Sequence, residues 1–575
     1  MRPLALALLA ASMAAAAPIV TDIRAAAVPV PPGGSTAVSV VASGVGVAYA
    51  WSATGGTISG TGPSVTWTAP STPGTYTVRC QVSDGGGASV AEVDIPVPGA
   101  LTEWAGSTPP AGVPFGKSTS FAGLAMTGKT ASYHFADTWY PSWGADDALY
   151  SPWQDGSLLT DPYNGLSTAA WAQPAETGWA RITGSSPEAL TFTNAGVIKS
   201  QRDPYGGRYP AGSLHYNGVW YYGSYLTTNE GGSTAPTVTT ADGEFNWGVL
   251  GPFMGFHVST DNGQTWTQTP WTPTNPMFGE PASFGGKLKI GIPHFVDFGK
   301  NMQHSPDGKA YMVAHGAVDP DPQPRAANLS WINGDQLYML RVTPSIATIN
   351  DPSAWEFFAG HDVDGNALWT SSLDLARPIL DWNNRCGNVS MTYNAALGRY
   401  FMFVTDGWPT TDTMDTYLLE STSLTGPFQL VQWWEDFGPQ GYFFNIPSKF
   451  IAADGLSFWT LYSANFTWAQ DNWIGNPPIS GYHACFLEVL LRRPARGRVD
   501  GVALPPIPVT PTPSPTPLPA PGPGPGTGTV PSGGDNANGN HEINDRCSAS
   551  AAGATGSPLA LLLGLLAFAA RRRKC

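Results

Sequence analysis

The sequence predicts an all-β protein: a five-bladed β-propeller preceded by an antiparallel β-sandwich. Three observations predict it. Strand-like runs recur through a long central region, among them "SLHYNGVWYYGSYL", "KAYMVAHGAV", "QLYMLRVT", "RYFMFVTDG" and "FWTLYSANF", each preceded by a Gly- or Asp-containing turn, and hairpins at such spacing build propeller blades. No stretch there has the period of a long amphipathic helix. Ahead of it, "VAYAWSATGGTISGTGPSVTWTAPSTPGTYTVRCQVSDGG" alternates apolar and polar residues in short runs punctuated by Gly, Pro, Ser and Asp, the pattern of a sandwich.

Taken in order, residues 1–17 open on one arginine, continue as an apolar run and end in small residues, "MRPLALALLAASMAAAA", which is the anatomy of a secretory signal peptide. Residues 18–99 are the sandwich, with Trp51 as the expected core tryptophan and Tyr76, Val78 and Cys80 on one facing strand. "PGTYTVRCQVSDG" resembles the polycystic-kidney-disease (PKD) and related immunoglobulin-like repeats of secreted bacterial enzymes, and the resemblance implies a spacer module. Residues 100–499 are the propeller. Residues 500–546, "PPIPVTPTPSPTPLPAPGPGPG" and onward, cannot bury a core and form a polyproline-like spacer. Residues 547–575 place a cysteine (Cys547), an apolar segment and the basic cluster Arg571–Lys574 in sequence. That segment approaches the ~20 residues a bilayer needs, and the basic cluster is expected on the cytoplasmic side. This order resembles the C-terminal sorting signals of bacterial surface proteins, the myxobacterial type above all, and implies a protein secreted and held at the cell surface or outer membrane, with membrane contact through this segment.

Charge and cysteine use narrow the function. The formal net charge is −14 with 12% charged residues, which argues against nucleic acid as a partner. Five cysteines show no zinc spacing. Cys386 and Cys485 are candidates for a disulfide in an oxidising compartment, the connectivity being left open by sequence. No cofactor is expected other than an optional structural calcium ion. The expected partner is a polysaccharide, and the expected state is a monomer.

Five blades can be counted, near "YHFADTWYPSW…LYSPWQDG", "GSLHYNGVWYYGSYL", "IGIPHFVDF…KAYMVAHG", "GNVSMTYNAALGRYFMFVTDG" with "TYLLESTSLTGPF", and "PSKFIAADGLSFWTLYSANF". "STDNGQTW", Ser259 to Trp266, fits the Asp-box pattern S-x-D-x-G-x-T-W and resembles the turn that closes outer hairpins in sialidase-like propellers. "HSPDGKAY" from His304 is a looser relative. "LLESTSLTGPF" resembles a strand of the five-bladed glycoside hydrolases of family 43.

The stretch "HFADTWYPSWGADDALYSPWQDG", His134 to Gly156, concentrates carboxylates among indoles in a chain sparing of charge. Aromatic faces stack on sugar rings. Glycoside hydrolysis needs one protonated carboxyl and one ionised carboxylate, and an apolar wall raises the pKa of the first. Asp137 stands at the start of the first blade, and Asp155 follows one hairpin later. "ADTW" with an Asp at this separation resembles a propeller family related to bacterial endo-D-arabinanases, in which two early Asp residues are the catalytic pair; Ala136 replaces that family's glycine. The resemblance implies Asp137 and Asp155 as the pair and an arabinan-type substrate. Family 43 implies a third-blade acid, for which Glu280 in "MFGEPASF" is the nearest position.

The expected sugar platform is Trp139, Trp143 or Trp153. Asp203 could tune a neighbouring pKa, and Arg202 and Arg385 could hold hydroxyls or a uronate carboxylate. His294, His315, Asn388, Tyr393 and Lys449 complete the expected funnel lining. Asp146 and Asp147, in "GADDALY", read as a solvated hairpin tip. Three functions compete: a surface glycoside hydrolase, a propeller that binds glycan without cutting it, and a polysaccharide lyase working through Tyr and His beside an Arg. Carboxylates about 5–5.5 Å apart would mean retention of configuration, and about 6.5–9.5 Å inversion.

Overall fold

The computed structural model describes residues 17–104, 107–156, 176–200, 209–228, 237–240, 243–272, 275–280, 288–323, 329–407, 413–464 and 475–507. Residues 1–16, the spacer from residue 508 onward and the C-terminal segment lie outside them; the first residues expected in the spacer belong to the sandwich instead, with Val502–Ala503 paired to Arg498–Val499 and that strand to Gly87–Val97. Every regular element among the described residues is a β-strand or a three-residue 3-10 turn.

The sandwich packs two sheets face to face. Ile19–Val28, Ser35–Ser43, Thr57–Ser59 and Ser64–Thr68 belong to one, and Ala48–Ala53, Gly74–Asp84 and Gly87–Val97 to the other. Alternation along Gly74–Asp84 sends Val78, Cys80 and Val82 into the core and their neighbours to solvent, as one-sided burial of a pleated strand requires. The core tryptophan is Trp67, fully buried, and not Trp51. Ala48–Ala53 is an edge strand of its sheet, so Trp51 packs only partly against the core and donates its indole N–H to the Gly62 carbonyl at 2.9 Å.

Five antiparallel sheets follow, and they are the blades. The first combines Ser142–Trp143, Leu149–Gly156, Glu176–Thr183 and Thr191–Ser200; the second Tyr209–Tyr216, Val219–Thr228, Gly243–Ser259 and Thr237–Thr240. The third runs outward from His294–Phe295 through Ala310–Gly316 and Gln336–Val342 to Glu356–His361, and the fourth from Asn388–Asn394 through Arg399–Asp406 and Asp415–Ser421 to Gln429–Glu435. In the fifth, Tyr442–Asn445, Ser457–Ser463 and Ala484–Arg496 are joined by Gly123–Tyr133 from the opposite end of the domain. That pairing closes the ring, so the first and last blades cannot splay apart without breaking a strand ladder. The innermost segments of all five blades surround one axial cavity, contributing Tyr140 and Pro141, Gly212 and Ser213, His294 and Asp297, Ser390 and Thr392, and Asn445 and Ile446.

The thirteen-residue strand Ala484–Arg496 leaves the fifth blade and runs on into the sandwich, where Arg496 pairs with Arg24 and Ala495 with Ala25. Arg496 also meets Asp22 at 2.8 Å, and Arg498, one strand further, meets Asp94 at 2.7 Å. Sandwich and propeller thus share a backbone ladder.

The Asp box forms as its pattern predicts. Asp261 accepts from the Thr265 N–H at 2.8 Å and its hydroxyl at 2.6 Å, and these bonds hold its carboxyl down at about 2. Gly263 adopts φ +89°, and Trp266 packs on Trp179 and Trp220. The turn joins the third strand of the second blade to a bridge at Thr267, on the outer side of that blade. Cys386 and Cys485 are both buried free thiols on different blades, so the candidate disulfide does not form.

Candidate functional site

The first blade begins with the segment from Phe135 to Trp143, which enters along the propeller axis. Its register on Leu149–Gly156 is set at both ends: Asp137 and Gln154 exchange two backbone hydrogen bonds of 3.0 Å, and Trp143 pairs with Leu149. Gly156 makes the tight end of this hairpin. A Cβ there would stand 1.8 Å from the Phe135 carbonyl oxygen, so no other residue fits without moving the chain that carries Asp137. Four non-glycine residues between His134 and Gly156 take left-handed backbone angles: His134 (φ 34°), Thr138 (φ 60°), Asp147 (φ 69°) at the turn, and Asp155 (φ 54°). For a β-branched residue such as Thr138 this is a costly conformation, and such strain concentrates at functional sites.

Asp137 is buried, with 2% of its surface exposed. Its Oδ2 accepts from the hydroxyls of Tyr442 at 2.9 Å and Tyr482 at 3.0 Å, and its Oδ1 accepts from Thr138 at 3.0 Å. Burial pushes the carboxyl up to about 7, against the pull of these hydrogen bonds. Asp155 is half-buried on the adjoining strand. It follows directly on Gln154, the residue that pairs with Asp137, and the charges of both carboxylates raise the pKa of the Tyr225 and Tyr442 hydroxyls.

Beside them, Tyr140 donates its hydroxyl to the side-chain oxygen of buried Asn388. Tyr140 also lies flat on His294, with ring centroids 3.5 Å apart and planes at 16°. His294 is buried and lines the axial cavity, and neither of its ring nitrogens has a hydrogen-bond partner among the described residues. Burial holds it well below its ordinary pKa, so it is neutral. His315 is neutral too, pushed down to about 4 by burial, with Nε2 2.7 Å from the Ser330 carbonyl. The structure therefore brings together Asp137, Asp155, His294 and Asn388 of the expected residues, with His315 on the neighbouring strand.

Other expected residues fall elsewhere. Trp139 and Trp153 are fully buried between the first and fifth blades with Leu149, Trp459 and Phe486, and the Trp139 indole donates to the Ala136 carbonyl at 2.8 Å. Neither presents a face to a sugar. Polar residues flank both in the sequence, but the wedge between two blades is filled by large rings.

Trp143 lies five residues down the partner strand from the Asp137 pairing, about 16 Å at ~3.3 Å per residue, at the far end of the axis. There its indole donates to Asp147 at 3.0 Å, and Lys300 and Lys449 reach the same carboxylate at 3.2 and 3.3 Å. Asp147 is thus a double ion-pair partner at this end. Asp146 is bound to Arg181 at 2.8 Å. Tyr393, five residues beyond Asn388, packs on Tyr400 and Phe298 toward the same far end. Trp143, Tyr393 and Lys449 therefore stand at the other end of the axis from Asp137.

Glu280 is also pushed up to about 7 by burial. Both its oxygens are occupied by backbone N–H groups, of Lys289 and Ile290, so the carboxylate clamps the approach to the third blade. Arg385 meets Asp415 at 3.4 Å at the head of the fourth blade. Arg202 and Asp203 lie outside the described residues. No group of three His, Cys, Asp or Glu side chains placed to hold a metal ion occurs among the described residues.

Sequence reasoning missed Tyr442, Tyr482, Tyr140 and Gln154. Tyr442 sits in "GYFFN", whose four strand residues are all buried, so it carries no alternation to mark a strand. Tyr482 precedes the last strand in "SGYHAC", where nothing in the local pattern sets it apart.

Residues 22–97 match the PKD domain family. A search of curated proteins finds no match. Solved structures of similar outline include the catalytic domain of the Coprinopsis cinerea GH62 alpha-L-arabinofuranosidase, at 10% identity and TM-score 0.32, covering 65% of this chain and 98% of that one. A family 117 glycoside hydrolase from Zobellia galactanivorans gives 10% identity and TM-score 0.35, covering 66% of this chain and 92% of that one. A thermostable family-43 glycoside hydrolase gives 11% identity and TM-score 0.29, covering 66% and 98%. The chain is thus an all-β protein that carries a PKD domain at its N-terminus, ahead of a closed five-bladed propeller.

Proposed function

We propose that this protein is a glycoside hydrolase displayed at the cell surface, in which Asp137 donates the proton to the leaving oxygen and Asp155 is the partner carboxylate. The observation that carries the reading is Asp137 itself: a carboxyl at the head of the innermost segment of a propeller, buried and pushed up to about 7, with Asp155 next in sequence to the Gln154 that pairs with it. A carboxyl that holds its proton near neutral pH is what a general acid requires. Arabinan is the first substrate to test, because of the likeness of "FADTW" and the following Asp to the arabinanase-related propellers.

Purified protein is expected to release reducing ends from at least one member of a panel of arabinans, xylans and pectic polysaccharides. Asp137→Asn is expected to lower that rate by about 10²–10⁴. Binding without release by the wild type would favour the glycan-binding reading, and unsaturated products absorbing in the ultraviolet would favour a lyase. Surface display rests on residues 1–17 and 547–575. No helix among the described residues is long and apolar enough to cross a membrane, and the terminal segment lies outside them. Deleting residues 547–575 is expected to release the protein into the medium; full-length protein in the cytoplasm would refute this.

A further inference from the structure

Two phenol hydroxyls converge on a single oxygen of Asp137. Tyr442 comes from the innermost strand of the fifth blade, and Tyr482 from the segment just before that blade's third strand. Both side chains are buried, at 0% and 3% exposure. Each ring is held by packing that does not involve Asp137: Tyr442 meets Trp331 edge-on at 5.4 Å, and Tyr482 meets Phe135 at 5.2 Å. The hydroxyls are therefore delivered to Oδ2 by rigid rings from two separate pieces of backbone.

We propose that Tyr442 and Tyr482 are positioning residues for Asp137: by donating together to Oδ2 they leave the transferable proton on Oδ1. The proposal rests on the reading of Asp137 as the acid. An oxygen that already accepts two O–H groups is a poor place for a third proton, whereas the hydroxyl bonded to Oδ1 is that of Thr138, which can turn to accept; the Gln154 side chain is the carboxyl's remaining hydrogen-bond partner. In the chemical step the O–H bond at Oδ1 breaks as an O–H bond forms to the departing glycosidic oxygen. The electron pair stays on Asp137, and the resulting carboxylate is stabilised by the two hydrogen bonds already aimed at it. Burial and the Asp137 charge hold the Tyr442 phenol well above its ordinary pKa, so it acts as a neutral donor and not as a phenolate nucleophile. The titratable groups that face Asp137 are Tyr140 and Asp155 from the first blade, Tyr225 from the second, and Tyr442 and Tyr482 from the fifth.

The test uses the full chain and its Tyr442→Phe and Tyr482→Phe variants. The Asp137 carboxyl is titrated by carbon-13 NMR, its signal assigned by its loss in Asp137→Asn, and the pH profile of hydrolysis is measured in parallel. A hydrogen bond to a charged group removed without disturbing the fold should raise the Asp137 midpoint by about one unit per hydroxyl. The limb of the rate profile that reports the protonated acid should move with it, while KM changes little. An unmoved midpoint in a folded variant would overturn the proposal, and either variant suffices if the other fails to fold. The two readings separate cleanly. A moved midpoint without hydrolysis would show that the two hydroxyls set the Asp137 midpoint while sinking the hydrolase and with it the proton-positioning role, and hydrolysis with an unmoved midpoint would keep the hydrolase and sink the tyrosine assignment alone.

Discussion

Replacing Asp137 with asparagine changes the pH dependence of stability in a way the structure lets one calculate. The carboxyl is raised from 3.8 to about 7 by burial. Below pH 4 it is protonated in both folded and unfolded chains and contributes no difference. Between pH 4 and pH 7 the unfolded chain gives up its proton and the folded chain does not, so the folded state loses stability as pH rises. Above pH 7 both are ionised, and the folded chain bears the full cost of a buried charge. At ~1.4 kcal/mol per unit, a shift from 3.8 to about 7 amounts to about 4 kcal/mol. The asparagine side chain has no proton to lose, so the variant escapes that cost. Contributions from other groups, Glu280 included, are common to both proteins and cancel in the difference.

The assay is urea unfolding of wild type and Asp137→Asn at pH 4 and pH 8, followed by tryptophan fluorescence. The variant is expected to gain on the wild type by about 4 kcal/mol between the two pH values, or roughly 1.3 M in midpoint at an m value of about 3 kcal/mol/M. Parallel pH dependences would show that Asp137 is not held protonated in the folded protein. The reasoning that makes it an acid would then fail.

Gly156→Ala places a methyl against the Phe135 carbonyl; it is expected to cost about 1–3 kcal/mol of stability and to depress hydrolysis in protein that remains folded, because the displaced segment carries Asp137. Wild-type activity in a folded Gly156→Ala protein would contradict the placement of the site. Glu280→Gln is expected to lower stability by about 1–3 kcal/mol, since an amide offers one acceptor where two backbone donors wait, while leaving kcat unchanged in folded protein. A loss of kcat with intact stability would restore Glu280 as a catalytic group.

The blades are legible in the sequence because their second and third strands are long buried runs between turns, as in Arg399–Asp406 and Asp415–Ser421. The Asp box is legible because its hydrogen bonds are local and demand particular residue types. Asp137 can be found because a carboxylate among indoles is unusual in so weakly charged a chain. The partners of Asp137 cannot. Tyr442 and Tyr482 lie more than three hundred residues away in sequence and reach it only because strand Gly123–Tyr133 closes the ring on the fifth blade. The same closure explains the misplaced tryptophans: whether an indole stacks on sugar or wedges between blades depends on which blade lies next to it, and only the closed ring determines that. Trp143 and Lys449 stand at the other end of the axis because a short extended segment crosses it, from Asp137 to Trp143 and from Tyr442 to Lys449, so neighbours in sequence can stand at opposite ends.

The proposed role of Asp137 as proton donor is tested most directly by comparing leaving groups. Wild type and Asp137→Asn are assayed on the susceptible polysaccharide and on an aryl glycoside of the same sugar whose phenolate departs without protonation. The variant is expected to lose about 10²–10⁴ in kcat/KM on the polysaccharide and far less on the aryl glycoside. Equal losses on both substrates, or none on either, would contradict the assignment of Asp137 as the acid.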